Sequence, residues 1–252
     1  MRRVVLAVGL VVLAAAAHDA QALRLGDERV VIPVIGRFPG AGGTQWRTDV
    51  FLCNAYSPGV TFTLRFYPSG LAMVERTVTV GQYSNAVLTD VVLNTFGLAN
   101  AGGMLEVLSS IPGGSVDARA RIYNSGNPAG QFGQNVPGVG YNYLNRQALL
   151  YGLSGIGGNR LNIGVANPNN TAVDVTISIR DKDGASLHGR TVNVPAHGYV
   201  QYNDIFPAFG IAPQEGVTVQ FNTFDTKVYG YASEVRNDTG DAVFIVGLSP
   251  NA

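Results

Sequence analysis

The alternating run VTFTLRFY at residues 60–67 determines the fold class, because every second side chain in it is apolar. Side chains of a β-strand point alternately to its two faces, so this run would place one wholly apolar face against a core. The run VDVTISIR at residues 173–180 has the same alternation. Both segments are therefore predicted to be half-buried strands.

Other segments match between the two parts of the chain in the same order and at nearly the same spacing. The matching pairs are 47–54 (RTDVFLCN) with 160–167 (RLNIGVAN), 76–80 (RTVTV) with 190–194 (RTVNV), and 116–124 with 228–236. Self-similarity at a fixed spacing is the signature of a repeated structural unit. The sequence therefore predicts two tandem copies of one unit.

Short alternating runs separated by Gly, Pro, Asn and Asp favour an antiparallel sandwich. We predict an all-β protein of two tandem antiparallel β-sandwich (Ig-like) domains, each with one short helix at residues 91–96 or 205–209. Asp90 and Asp204 stand where N-cap residues belong, and Gly97 and Gly210 stand just beyond the helices. The predicted domains are residues 23–137 and 147–252, joined by a linker at residues 138–146.

The N-terminal segment predicts a signal peptide at residues 1–22. Arg2 and Arg3 precede an unbroken apolar stretch at residues 4–17, and Ala20-Gln21-Ala22 offers a small-x-small cleavage site. The apolar stretch is shorter than the roughly 20 residues of a membrane-spanning helix. We therefore expect an exported protein, located in the periplasm, at the cell surface or outside the cell, with no membrane span after cleavage.

The charge of the chain is balanced, with 17 Lys and Arg residues against 17 Asp and Glu residues. Nucleic-acid binding requires a basic surface that neutralises phosphates. The sequence contains no run of Lys or Arg, so a nucleic-acid partner is not expected.

Three aromatic residues are the candidates for ligand binding. Trp46, the only tryptophan, could stack on a sugar ring or could seal the end of a core. Tyr141 and Tyr143 lie in the linker, where they could form a binding face or pack between the two domains.

The remaining reactive residues give weaker signals. His188 and His197 are interpreted as surface histidines in or near turns, although a general base or metal ligand built on them stays open. Cys53, in the apolar run VFLCN, is predicted to be a small buried core residue. The turn at residues 181–184 (DKDG) favours a hairpin over a calcium loop. We expect no catalytic residue, no metal site and no cofactor.

The strand pattern resembles a tandem β-sandwich repeat of secreted bacterial proteins of unknown function. It is also weakly similar to the β-sandwich of the sensory rhodopsin transducer family. The segments FLCNAYSPGVTFTLRFYPSG, RTVTV and DARARIYNS carry this resemblance in the first copy, and GVANPNNTAVDVTISIRDKDG, RTVNV and GYASEVRND carry it in the second. The resemblance implies a docking sandwich and transfers no functional residue.

These observations favour a non-enzymatic exported structural or partner-binding protein, with a protein or glycan partner at the cell envelope. One alternative is an extracellular carbohydrate-binding module. Another is a secreted hydrolase whose site lies between the copies and uses His188 or His197 with nearby acids.

Overall fold

The computed structural model describes residues 27–40, 43–111 and 117–249. The predicted signal peptide lies outside these residues. The described chain is all-β, as the alternating runs predict, with its strands in antiparallel sheets and two short helices. We call residues 27–137 the first half, residues 138–146 the joint and residues 147–249 the second half.

The strands alternate with short turns along the whole described chain. The strands of the first half and the joint are β1 (Arg29–Pro39), β2 (Gln45–Asn54), β3 (Val60–Pro68), β4 (Val74–Val80), β5 (Ser84–Leu88), β6 (Ala101–Ser109), β7 (Asp117–Asn124), β8 (Phe132–Pro137) and β9 (Val139–Gly140). Those of the second half are β10 (Gln147–Leu153), β11 (Asn159–Asn167), β12 (Val173–Arg180), β13 (Ser186–Val194), β14 (Gly198–Tyr202), β15 (Val217–Asn222), β16 (Tyr229–Arg236) and β17 (Ala242–Val246). The helices are α1 (Val91–Asn94) and α2 (Ile205–Phe209).

In the first half, the strands form one sheet that folds over on itself. Its order is β4-β3-β6-β1-β2-β7-β8, with β5 paired to β2 and β9 paired to β1. The fold occurs at β1, which pairs with β6 along residues 29–37 and with β2 at Phe38 and Pro39. Apolar side chains from both layers, such as Val50 and Leu64, are fully buried in one core.

In the second half, the strands form two separate sheets with the orders β10-β15-β12-β13 and β14-β11-β16-β17. A second core lies between them and includes Ile163 of β11, Ile177 of β12 and Phe221 of β15. Each of these sheets has the strand order of one layer of the first half. The order β13-β12-β15-β10 corresponds to β4-β3-β6-β1, and β14-β11-β16-β17 corresponds to β5-β2-β7-β8.

The two helices occur near the predicted positions, but their N-terminal aspartates do not cap them. Asp90 and Asp204 adopt left-handed conformations, with φ of 41° and 53°, and neither side chain bonds to its helix. An N-cap side chain usually projects from the β region of the backbone, which explains why the predicted caps are wrong. Helix α1 also ends two residues earlier than predicted, at Asn94.

The half-buried backbone N–H groups of these aspartates are bound from a neighbouring strand instead. Asp49 Oδ1 accepts the N–H of Asp90 at 2.9 Å, and Asn162 Oδ1 accepts the N–H of Asp204 at 3.0 Å. The Asp90 carboxylate accepts a hydrogen bond from Arg37 Nε at 2.9 Å. In both copies the backbone of the shared aspartate is therefore anchored to the neighbouring strand, and Asp90 also forms an ion pair with Arg37.

Asn167, at the end of β11, holds the following turn together. Its Nδ2 donates to the carbonyl oxygens of Thr171 at 2.8 Å, Val194 at 3.1 Å and Pro195 at 3.0 Å. Its Oδ1 accepts the backbone N–H of Asn169 at 3.0 Å. Asn54, at the end of β2, makes the same kind of bonds in the first half. Both side chains are buried, so the shared Asn is a structural element of each turn.

We expect Asn167→Ala to lower the free energy of unfolding by about 2–3 kcal/mol, because it leaves several buried backbone groups without a partner. Chemical denaturation followed by circular dichroism measures this change. The matched control is Asn193→Ala, since Asn193 is exposed and binds only the Asp174 carboxylate among the described contacts. A loss no larger than that of the control would contradict the structural role of Asn167.

Candidate functional site

The outer face of the sheet formed by β14, β11, β16 and β17 packs against the first half. Tyr229, Tyr231 and Ala166 project from this face and belong to the same buried cluster as the core of the first half. Tyr229 Oη donates to the carbonyl oxygen of Pro137 at 2.9 Å, and Ser233 Oγ bonds to Gln134 Oε1 at 2.8 Å. The halves are therefore joined by a buried face as well as by the joint.

A buried carboxylate lies at the centre of this junction. Glu106 of β6 is 2% exposed and forms an ion pair with Arg29. Its Oε2 accepts a hydrogen bond from Tyr67 Oη at 3.2 Å, and its Oε1 lies 3.4 Å from Nδ1 of His197 in the second half. The His197 ring also stacks on the Tyr67 ring, with centroids 4.4 Å apart and an interplanar angle of 7°. These contacts satisfy the carboxylate and fix the turn that carries His197.

Tyr141 of the joint is held between charged and polar groups of both halves. The Arg29 guanidinium lies over its ring at 4.4 Å from the centroid, and Lys227 Nζ lies at 5.4 Å. Tyr141 Oη donates to Asn169 Oδ1 at 2.9 Å. Asn169 in turn donates to the carbonyl oxygen of Lys227 at 2.8 Å. Tyr141 therefore occupies the packing position between the halves that the sequence left as one of two alternatives.

A cleft of about 270 Å³ opens beside this junction. One wall is the turn between β3 and β4 and the other is the turn between β13 and β14. Leu71 is 56% exposed and Met73 is 45% exposed, and both form its outer rim. Of the described residues that line the cleft, none is Asp, Glu, Lys or Arg. The cleft is therefore a partly apolar site built from both halves, with His197 and two tyrosines among its lining residues.

Burial raises the pKa of two tyrosine hydroxyl groups that line the cleft, those of Tyr67 and Tyr199. Burial, followed by the negative charge of Glu106, raises the pKa of Tyr67 to about 12. Burial also raises the pKa of Tyr199, and a hydrogen bond with Ser69 opposes that change. Both phenols are therefore neutral hydrogen-bonding groups at physiological pH.

The raised pKa of Tyr67 predicts a loss of stability at high pH. The unfolded phenol loses its proton near pH 10, whereas the folded one holds it to about 12, so the contribution of Tyr67 to folding disappears as the pH rises across this interval. Urea unfolding at a series of pH values should show a smaller decline for Tyr67→Phe than for the unmodified protein. Tyr151→Phe, at an exposed position, should leave the decline unchanged. Equal declines in all three proteins would contradict the assignment.

The structure does not bring the three predicted ligand-binding aromatics together. Trp46 is half-buried at the edge of the first core and pairs with Phe38 of β1 and Asn124 of β7. Tyr143 is 43% exposed on the joint, and Tyr141 is packed as described above. Trp46 is therefore packed against the edge of a core, and a role for it in ligand binding stays a prediction.

Both histidine side chains are half-buried, whereas the sequence predicts surface histidines in or near turns. His188 lies within β13 and stacks on Phe209, with ring centroids 4.4 Å apart. His197 lies in a turn, as predicted, but its side chain is half-buried at the junction. Sequence reasoning missed this because the acid facing His197, Glu106, comes from the other half of the chain.

Cys53 is exposed, so the prediction that it is buried is wrong. Val50, Leu52 and Asn54 point into the core, and the alternation of the strand therefore turns Phe51 and Cys53 to the opposite face.

The interpretation of residues 181–184 as a turn agrees with the structure, where Asp181 Oδ1 accepts the N–H groups of Asp183 and Ala185 at 2.9 and 2.8 Å.

Two classes of feature do not occur in the described part of the chain. No group of three or more His, Cys, Asp or Glu side chains among those residues is placed to hold a metal ion. Helices α1 and α2, with four and five residues, are far too short to span a lipid bilayer, and no longer apolar helix accompanies them within the described ranges.

The fold and the junction define an all-β protein with a β-sandwich architecture. No family model and no curated protein sequence matches the chain. Among solved structures, Thermotoga maritima 1070 is similar over 45% of this chain and 93% of its own, with 11% identity and a TM-score of 0.36. Parabacteroides merdae β-glucuronidase aligns with 87% of this chain but only 28% of its own, with 11% identity and a TM-score of 0.18. A Pleurotus ostreatus lectin in complex with GalNAc aligns with 90% of this chain and 85% of its own, with 12% identity and a TM-score of 0.16. At these scores the three structures support no argument about function.

Proposed function

We infer that the protein is a non-enzymatic, exported partner-binding protein built from a duplicated β-sandwich, and that the cleft at the junction receives the partner. The duplication is supported by the common strand order of the halves and by the matching bonds of Asn54 and Asn167. Export is supported by the basic and apolar pattern of residues 1–22. The proposed domains are the two halves, with the joint between them.

The partly apolar cleft that both halves build is the observation on which the binding function depends. Exposed apolar side chains such as Leu71 and Met73 are costly to leave in water, and a partner that covers them gains the corresponding free energy. The volume of about 270 Å³ lies just below the roughly 300–1,000 Å³ of sites for drug-sized ligands. It therefore suits a single large apolar side chain from a protein partner better than an extended glycan.

The arrangement of His197 favours a structural role over a catalytic one. Its Nε2 is bonded to Asn170 Oδ1 at 2.9 Å, and its Nδ1 faces the buried carboxylate of Glu106. A general base needs a ring nitrogen within reach of the proton that it removes from a substrate. Both nitrogens of His197 are directed at protein groups, so its ring fits the role of a link between the halves.

Cross-linking in the native envelope tests the cleft as the binding site. The double variant Leu71→Asp/Met73→Asp places charges on the apolar rim and should abolish the cross-linked complex. The matched control is Tyr151→Asp/Val243→Asp, which makes the same change at two exposed apolar positions of the second half and should leave the complex intact.

Equal capture by both double variants, or no specific complex with the unmodified protein, would contradict the proposal.

A broad hydrolase screen provides a separate check. Turnover that is lost on His197→Ala would show that the protein is an enzyme.

A further inference from the structure

The outer face of β2, β7 and β8 in the first half is exposed. Phe51 and Cys53 of β2 project from it, opposite Arg119 and Asp117 of β7. The Arg119 guanidinium lies over the Phe51 ring at 4.1 Å from the centroid, and the Arg121 guanidinium lies over the Tyr123 ring at 4.8 Å. Two cations are thus held in place on aromatic rings of a single sheet face. We call this surface the Arg–aromatic face.

The corresponding face of the second half is the one that docks on the first half. Strands β11, β16 and β17 have the same order as β2, β7 and β8. In the second half, Gly164 of β11 is the cross-strand partner of Tyr231 of β16. At the equivalent positions of the first half, Phe51 of β2 is the cross-strand partner of Arg119 of β7. One face is therefore a buried aromatic interface in the second half, whereas its counterpart in the first half carries arginines and is open.

We propose that the Arg–aromatic face is a second docking surface, and that its occupant is an acidic segment of a partner protein. This surface is distinct from the cleft and does not depend on it. Arginine binds carboxylates through paired N–H donors, and an aromatic ring beneath it holds the guanidinium in a fixed orientation. The same segment would cover Phe51 on the face and its cross-strand partner Val87, which lies in the neighbouring strand β5 and is 51% exposed.

The hydrogen bonds of the two arginines leave room for a carboxylate. Among the described contacts, Arg119 donates from Nη1 to Asn135 Oδ1 at 2.9 Å. Arg121 reaches only Gln131, at 3.5 Å from Nη1 and 3.3 Å from Nη2. A guanidinium has five N–H donors, so both groups have capacity for a stronger acceptor. Asp117 lies beside Cys53, at the end of the face away from Arg121, and Asp49 is the cross-strand partner of Arg121. Asp49 is 9% exposed, and its Oδ1 already accepts hydrogen bonds from the backbone N–H of Asp90 and from Tyr123 Oη.

A second copy of this chain is a poor occupant. Two Arg–aromatic faces brought together would place arginines against arginines, which is repulsive. The exposed residues of the open sheet in the second half include both Asp174 and Arg180, so its charge is mixed. Charge complementarity therefore favours an acidic partner over self-association.

The experiment uses poly-L-glutamate as the probe and the full mature chain, labelled at Cys53 with an environment-sensitive fluorophore. Cys53 is exposed on the face and is the only cysteine in the chain, so the label reports on this surface alone. Arg119→Gln/Arg121→Gln should weaken binding at least tenfold at low salt, and added salt should weaken binding to the unmodified chain. The matched control, Arg180→Gln/Arg190→Gln, removes the same charge from the second half and should change binding less than twofold.

Three outcomes would overturn the proposal. The first is equal weakening by both double variants, and the second is equal binding of poly-L-lysine. The third is binding of a polyuronate as tight as that of poly-L-glutamate, which would assign the face to an anionic glycan. Thermal unfolding of both double variants verifies that each is folded. Because Leu71→Asp/Met73→Asp leaves this face unaltered, failure of the cleft proposal would not alter these results.

Discussion

Glu106→Ala is expected to lower the free energy of unfolding by about 2–4 kcal/mol. Removing one partner of a buried ion pair leaves the other charge without compensation, which costs roughly 3–5 kcal/mol when both groups are fully buried. Glu106 is 2% exposed but the Arg29 side chain is 28% exposed, so water offsets part of this cost. The substitution also removes the acceptor of the Tyr67 hydroxyl and the carboxylate that faces His197. Chemical denaturation measures the change.

The same sheet face provides a matched control. Glu75 pairs with Arg65 at 2.8 Å, but these side chains are 45% and 38% exposed. Glu75→Ala should therefore cost less than about 1 kcal/mol, as exposed ion pairs do. Hydrogen exchange gives a second measurement, because Glu106→Ala should speed exchange at the His197 turn whereas Glu75→Ala should not. Equal effects of the two substitutions would show that the junction does not bury Glu106.

The sequence was sufficient to predict strands such as β3 and β12, because their alternation depends only on which side chains face a core. It was not sufficient to predict which sheet faces meet. The signal for the junction was present in β1, where the residues from Val30 to Gly36 are buried without alternation. Strand β10 holds the corresponding place but alternates between half-buried and buried residues at its start. A continuous apolar run marks a strand that is covered on both faces. The difference between the continuous apolar run of β1 and the alternation of β10 could have shown which sheet of the first half is covered by the second half.

The predicted caps and the predicted surface histidines failed for a related reason. The local rule for Asp90 concerns the next few residues, but its carboxylate is bound by Arg37, more than 50 residues away. His197 likewise faces Glu106, more than 90 residues away in the chain. Such pairs form only after the sheets have packed, so neither spacing nor composition reveals them. The two copies share residues that hold turns, such as Asn54 and Asn167, and these were the polar positions that local patterns could identify.

Tyr231→Ala is expected to lower the free energy of unfolding by about 3–5 kcal/mol, the usual cost of truncating a fully buried aromatic side chain. Tyr231 is 1% exposed, its ring stacks on Phe244 at 5.2 Å, and its hydroxyl donates to Gln201 Oε1 at 2.8 Å. The ring fills the space beside Gly164, where a side chain would collide with it. Truncation would therefore open a cavity at the contact between the halves.

Two comparisons separate the ring from its hydroxyl and from a surface tyrosine. Tyr231→Phe keeps the ring and should cost about 1 kcal/mol, the net contribution of a single hydrogen bond. Tyr151 is 63% exposed, so Tyr151→Ala should change stability by less than about 0.5 kcal/mol. Phe244, Gln201 and Gly164 all belong to the second half, but Tyr231 projects from the outer face of its sheet and is fully buried only because the first half also covers that face. A loss as small as that of Tyr151→Ala would mean that the halves are apart in solution, and the cleft that both of them line would then not exist.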